Sequence, residues 1–140
     1  ARYLAILDET EAALPGDPSL GATMLDAHYL RREWANCLRD LATLREQYPD
    51  PYLDAYAGRI EVLAGDPARA LALADQTIAA EDSLIDGHDV ALLAALALNR
   101  TDRAQTELRR LADDHGVDPA RLAQQEGYEA ILTLPGVATP

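Results

Sequence analysis

The side chains with which this chain could do chemistry are three histidines, one cysteine and a surplus of carboxylates. His88 has the richest setting. Asp86-Gly87-His88-Asp89, with Asp82 just upstream, brings carboxylate and imidazole donors of the kind that hold a divalent cation within a few residues. No second His stands four positions away, however, and His28 and His115 lie 60 and 27 residues off. A capped helix start, with Asp residues at the positive end of the helix dipole, accounts for the same segment. Asp113-Asp114-His115-Gly116 reads as a helix C-terminus, where His115 suits the dipole and the two Asp are solvated. The single Cys37 excludes an internal disulfide, and the chain has no CxxC, no Gly-x-Ser-x-Gly elbow and no Gly-rich phosphate loop. We therefore assign no catalytic residue, no metal ligand and no cofactor, and expect a protein that is not an enzyme.

The charge balance removes further classes of function. Twenty-four acidic residues face twelve basic ones, for a net charge of −12, and every basic residue is Arg. With a pI near 4.4, such a field repels phosphate backbones and anionic lipid, which argues against nucleic-acid and membrane-surface partners. Membrane insertion is not expected either, because the longest apolar run, Val90 to Leu98, is far short of the roughly 20 residues needed to span a bilayer.

These residues need elements to position them, and the composition points to one kind. Ala and Leu dominate, Phe is absent, and no β-branched run alternates at period two. The expected fold class is all-α, in a single domain over 1–140 that can bury roughly two-thirds of its unfolded surface. Breakers divide it at Leu14–Pro18, Tyr48–Pro51, Gly65–Pro67, Asn99–Asp102 and Gly116–Pro119. Asp-Pro recurs at four of these junctions, the Asp suited to an N-cap and the Pro to the first helical turn.

The pieces repeat. Tyr3, Cys37, Ala70 and Ala104 fall on one register, Leu7, Leu41, Ala74 and Leu108 four residues later, and Thr10, Leu44, Thr77 and Leu111 three beyond that. The steps are 34, 33 and 34 residues, and an i, i+4, i+7 stripe is one helix face. A lone helix pair cannot bury both of its faces, so neighbouring pairs must complete each other's core.

A unit of 34 residues with a Gly-Asp turn, a small residue and then an apolar stripe resembles the tetratricopeptide repeat. In the unit 51–84, Ala57-Gly58 stands where the family has Leu-Gly, Gly65-Asp66 makes the turn, and Ala70 is the small packing residue. The unit 18–50 keeps Cys37, Leu41, Leu44 and a terminal Pro49, with Trp34 as the aromatic after the turn. The unit 85–118 keeps Ala104, Leu108 and Leu111, with Asn99-Arg100 in place of Gly-Asp. Residues 1–15 resemble the second helix of a partial repeat. Residues 119–140, a short helix from Pro119, a break at Gly127 and an apolar stretch from Tyr128 to Val137, resemble the C-terminal cap of bacterial members.

The resemblance implies an α-solenoid of about three and a half stacked antiparallel helix hairpins, wound as a right-handed superhelix. It also implies a role: binding a protein or peptide partner in a concave groove lined by the first helices. Carried over by position, the groove residues are Asp26 and Tyr29, then Tyr52, Ala55, Arg59 and Val62, then Asp89, Leu93 and Leu96. For Val62, Leu93 and Leu96, packing against neighbouring helices is the competing reading, as it is for Trp34, while Cys37 is expected to be a buried, inert thiol. A chaperone-type carboxylate clamp is not expected, since the family makes it with Lys and Asn and this chain has no Lys. The acidic groove members suit a basic or neutral partner segment. The start at Ala1, without Met and on a lone second helix, suggests a trimmed C-terminal piece with a partly apolar outer face. A homodimer through that end, or a homo-oligomerisation module within a larger protein, is the alternative function.

Overall fold

The computed structural model describes residues 18–137, with side chains from residue 23. The expected partial repeat at 1–15, its stripe residues Tyr3, Leu7 and Thr10, and the Asp17 junction lie outside the described residues. Within them the chain is all-α, with no strand. Helices α1 (Pro18–Leu30) and α2 (Trp34–Gln47), α3 (Pro51–Ala64) and α4 (Pro67–Ala80), and α5 (Ile85–Ala97) and α6 (Thr101–His115) follow one another through short turns. A single-turn α7 (Pro119–Leu122) and a 3-10 turn (Glu129–Thr133) complete the order. Among the described residues no helix is long and apolar enough to cross a membrane.

The helix starts follow from local chemistry. Asp50 accepts from the Tyr52 amide at 2.9 Å, Asp66 from Arg69 at 3.2 Å and Asp118 from Ala120 at 3.0 Å, each with Pro in the first turn behind it. Each carboxylate satisfies an amide that the first turn would otherwise leave unpaired. The turns within the pairs share one backbone geometry. Arg32, Gly65 and Asn99 all have positive φ, at 58°, 93° and 56°. Their amides bond to the carbonyls of Tyr29, Val62 and Leu96, and the next amides reach back to His28, Glu61 and Ala95. This doubled closure caps the last carbonyls of each first helix and repeats at steps of 33 and 34 residues.

All nine described members of the stripe are buried, from Cys37 through Ala70 to Leu111. The buried residues form clusters shared between successive helices. Leu25, Cys37, Leu41, Leu44, Ala57, Ile60 and Leu73 join α1 to α4. Ala55, Ala70, Leu71, Ala74, Val90, Ala91 and Ala94 join α3, α4 and α5. Leu92, Leu93, Leu96, Leu108 and Leu111 pack with Ala123, Tyr128, Ile131 and Leu134 of the C-terminal segment. Helix α5 is therefore covered on all sides: every residue from Val90 to Leu96 is buried, as its uninterrupted apolar sequence demands. In contrast, α6 buries Ala104, Leu108 and Leu111 and turns Arg109, Arg110, Asp113 and Asp114 outward.

Helix α3 packs closely at Gly58. A methyl group there would come within 2.8 Å of Val90 Cγ1 and 3.3 Å of the Ala70 carbonyl oxygen, so α3 approaches both neighbours at its own single glycine.

Candidate binding groove

The first helices α1, α3 and α5 contribute to two adjoining clefts. The smaller, about 170 Å³, is lined by Tyr29 of α1, by Tyr52, Ala55, Tyr56 and Arg59 of α3, and by Asp86 and Val90 of α5. The larger, about 380 Å³, is lined by Tyr29, Leu30, Arg32, Trp34, Arg59, Val62, Leu63, Leu93, Glu126, Gly127 and Tyr128. Tyr29 and Arg59 belong to both.

Aromatic contacts build the shared wall. Tyr29 meets Trp34 edge-on at 5.6 Å and Tyr56 at 6.1 Å, and Tyr56 meets Tyr52 at 6.3 Å, with interplanar angles of 70° to 79°. Such T-shaped pairs set the positive edge of one ring against the negative face of the next. Burial pushes the Tyr56 hydroxyl up to about 12, with the charge of Asp26 adding to it. Tyr48, the third tyrosine of the i, i+4, i+8 series, is half exposed beyond the α2 terminus and makes no ring contact with the others.

Arg59 is held in place from the side. Its Nη2 donates to Asp89 Oδ2, and Tyr128 Oη donates to Asp89 Oδ1 at 2.6 Å. Burial works against the guanidinium's charge, but Asp89 more than reverses it, and the net shift is upward. Burial and Asp89 likewise raise the Tyr128 hydroxyl, with Arg59 acting in opposition. Arg59 is therefore a permanently charged group whose charge is already matched within the chain.

The sequence-derived groove residues divide accordingly. Tyr29, Tyr52 and Arg59 line the clefts, Val62 is half-buried in the larger one, and Asp26 is exposed on α1. Asp89 sits behind the wall as the partner of Arg59. Ala55, Leu93 and Leu96 are buried. Leu93 packs beneath the C-terminal segment, where a methyl group on Gly127 would approach its Cδ1 to 2.9 Å. For Leu93 and Leu96, packing is thus the role the fold gives them.

Asp86, Glu126 and Tyr128 were not among the sequence-derived groove residues. Asp86 stands at a helix start that any Asp could occupy, and nothing local to Tyr128 marks its approach to a residue 39 positions away.

The acids around His88 diverge. Asp86 faces the cleft, Asp89 binds Arg59, and only Asp82 reaches the ring, its carbonyl oxygen 2.7 Å from Nε2. Nδ1 instead meets Glu107 at 2.6 Å; Glu107 is also bound by Arg103, which continues to Asp75. The buried ring thus lies between a backbone carbonyl on one side and a carboxylate on the other. His28 is also buried, its nitrogens 3.6 Å from Glu33 and 3.7 Å from Asp40. Among the described residues no group of three His, Cys, Asp or Glu side chains is placed to hold a metal ion. Cys37 is fully buried and its thiol is pushed up to about 11, first by burial and then by Asp40 and Glu33.

No family model, curated protein or solved structure matches this chain.

Proposed function

We propose that this protein is a non-catalytic interaction scaffold, a stack of tetratricopeptide-like hairpins forming an α-solenoid, that takes a peptide segment of a partner protein in the groove along α1, α3 and α5. One observation carries the reading: the two clefts adjoin through Tyr29 and Arg59 and are rimmed by large apolar side chains left in water. Leu30 is 83% exposed, Tyr52 46% and Leu63 39%. Exposed apolar surface gathered around a cleft in this way is where partners dock. The repeated turn geometry at Arg32, Gly65 and Asn99 and the buried stripe support the stacked-hairpin part of the reading.

Selection of binders from a random peptide library tests it. Selected peptides are expected to bind in the micromolar range and to lose about tenfold affinity to Leu63→Asp, a change on an exposed rim position. Binding that ignores Leu63→Asp and Tyr52→Ala, or no selection at all, defeats the reading. Light scattering over a wide concentration range separates the homo-oligomerisation alternative, which predicts a dimer that persists on dilution.

A further inference from the structure

We infer that the smaller cleft is a pocket for a basic side chain, so that the partner segment carries an Arg or Lys beside a large apolar residue. This rests on the groove reading above and names the chemistry of its occupant. At about 170 Å³ the cleft is below the size of ordinary small-molecule sites but close to the roughly 150 Å³ that accepts a benzene-sized group, the scale of one side-chain head. Its walls include the rings of Tyr29, Tyr52 and Tyr56. Tyr56 stands at 74° to Tyr29 and 79° to Tyr52, so its ring is parallel to neither of the others. The faces of such rings attract cations.

The charges agree. Asp86 and Arg59 lie on the lining of this cleft, Asp89 pairs with Arg59 from behind it, and Asp26 is close enough to act on the Tyr56 hydroxyl. Asp89 and Arg59 satisfy one another, and among the described residues no ion pair holds Asp86 on the lining or Asp26 beside Tyr56. An anionic ligand would meet an Arg59 whose charge Asp89 already offsets, whereas a cation meets the carboxylate of Asp86 directly. The chain as a whole, at −12 and without Lys, steers a basic segment toward itself. The larger cleft beside it offers Leu30, Trp34 and Leu63 to a neighbouring apolar side chain.

The test uses the full chain and three blocked hexapeptides, acetyl-Gly-Leu-Gly-Arg-Gly-Gly-amide and its versions with Gln or Glu in place of Arg, titrated by NMR. The Arg peptide is expected to shift the amides around Tyr52, Tyr56 and Asp86 and to bind about fivefold more tightly than the Gln peptide. The Glu peptide should bind weakest, and the preference for Arg should fall as salt rises. Asp86→Asn should remove the difference between Arg and Gln peptides, and Asp86→Glu should restore it, with melting temperatures recorded to show that both variants fold. Equal binding of all three peptides in the groove overturns the cation pocket and leaves the peptide groove standing. If none of the three shifts the groove, the cation pocket is likewise overturned, and the library selection alone then decides the groove. Groove amides that shift on dilution of the protein by itself point to a second copy as occupant and overturn both readings.

Discussion

Tyr128 donates its hydroxyl to Asp89 across 2.6 Å, joining residues 39 positions apart and fastening the C-terminal segment to α5. The other oxygen of Asp89 takes Arg59 of α3, so one half-buried carboxylate holds three parts of the chain around the groove. Tyr128→Phe keeps the ring and removes only the hydroxyl, and is expected to cost about 1–2 kcal/mol in urea unfolding. Asp89→Asn should cost more, because it leaves Arg59 without its counter-charge. Equal stability of Tyr128→Phe and the parent chain would show that the segment is held by its apolar contacts alone.

Gly58→Ala sets two effects against each other. Alanine in a helix interior gains about 1 kcal/mol over glycine, but here the new methyl group would press on Val90 Cγ1 and on the Ala70 carbonyl oxygen, a backbone atom that cannot swing away. Overpacking of this kind costs about 1–3 kcal/mol, so the thermal midpoint should fall. Val90→Ala in the Gly58→Ala background should recover part of the loss, which checks that the clash is the cause.

The pair of His88 and Glu107 predicts a strongly non-additive mutant cycle. Both side chains are almost fully buried, and removing either leaves the other with an unmatched polar group. His88→Ala or Glu107→Ala alone should each cost about 1–3 kcal/mol, the penalty of one buried polar atom left without its partner. The double change His88→Ala with Glu107→Ala should cost less than the sum of the two single changes, as measured by chemical denaturation. Additive losses would mean that the two side chains do not act as a pair.

Glu61 should be a liability at neutral pH. It is buried, and burial pushes its carboxyl up, with Arg69 opposing and Asp66 adding to the rise. A raised carboxyl binds its proton more tightly folded than unfolded. Its contribution is therefore fully present below the ordinary value of 4.5 and is lost as pH rises through the folded value. Glu61→Gln is expected to raise the urea midpoint at pH 7, with the advantage closing below pH 4.5. A variant less stable than the parent at pH 7 would show that the Arg69 contact outweighs burial.

Alkali should unfold the protein through Cys37 and Tyr56. Their ordinary values of 9.0 and 10.0 are raised to about 11 and about 12, so each holds its proton longer when folded. Stability from both is intact below pH 9 and is lost as pH climbs through 11 and 12. Cys37→Ala should flatten the first part of that decline, and iodoacetamide should label Cys37 of the native chain far more slowly than in urea.

How much of this was legible beforehand depends on the range of each interaction. The Asp-Pro junctions are decided within three residues: Asp50, Asp66 and Asp118 cap their own helices, so the sequence by itself placed those boundaries. The stripe from Cys37 to Leu111 was also readable, since one helix face needs only the i, i+4, i+7 spacing to be apolar. The divergence of Asp82, Asp86 and Asp89 was not, because Asp82 precedes α5 and the partners of Asp82 and Asp89 come from other elements. Glu107 meets His88 across 19 positions, Arg59 meets Asp89 across 30, and Tyr128 reaches Asp89 across 39. Those meetings depend on how helices stack, and so did the burial of Leu93 beneath Gly127. Local backbone chemistry is written residue by residue, whereas the groove, its matched arginine and its unmatched Asp86 exist only once packing has brought distant faces together.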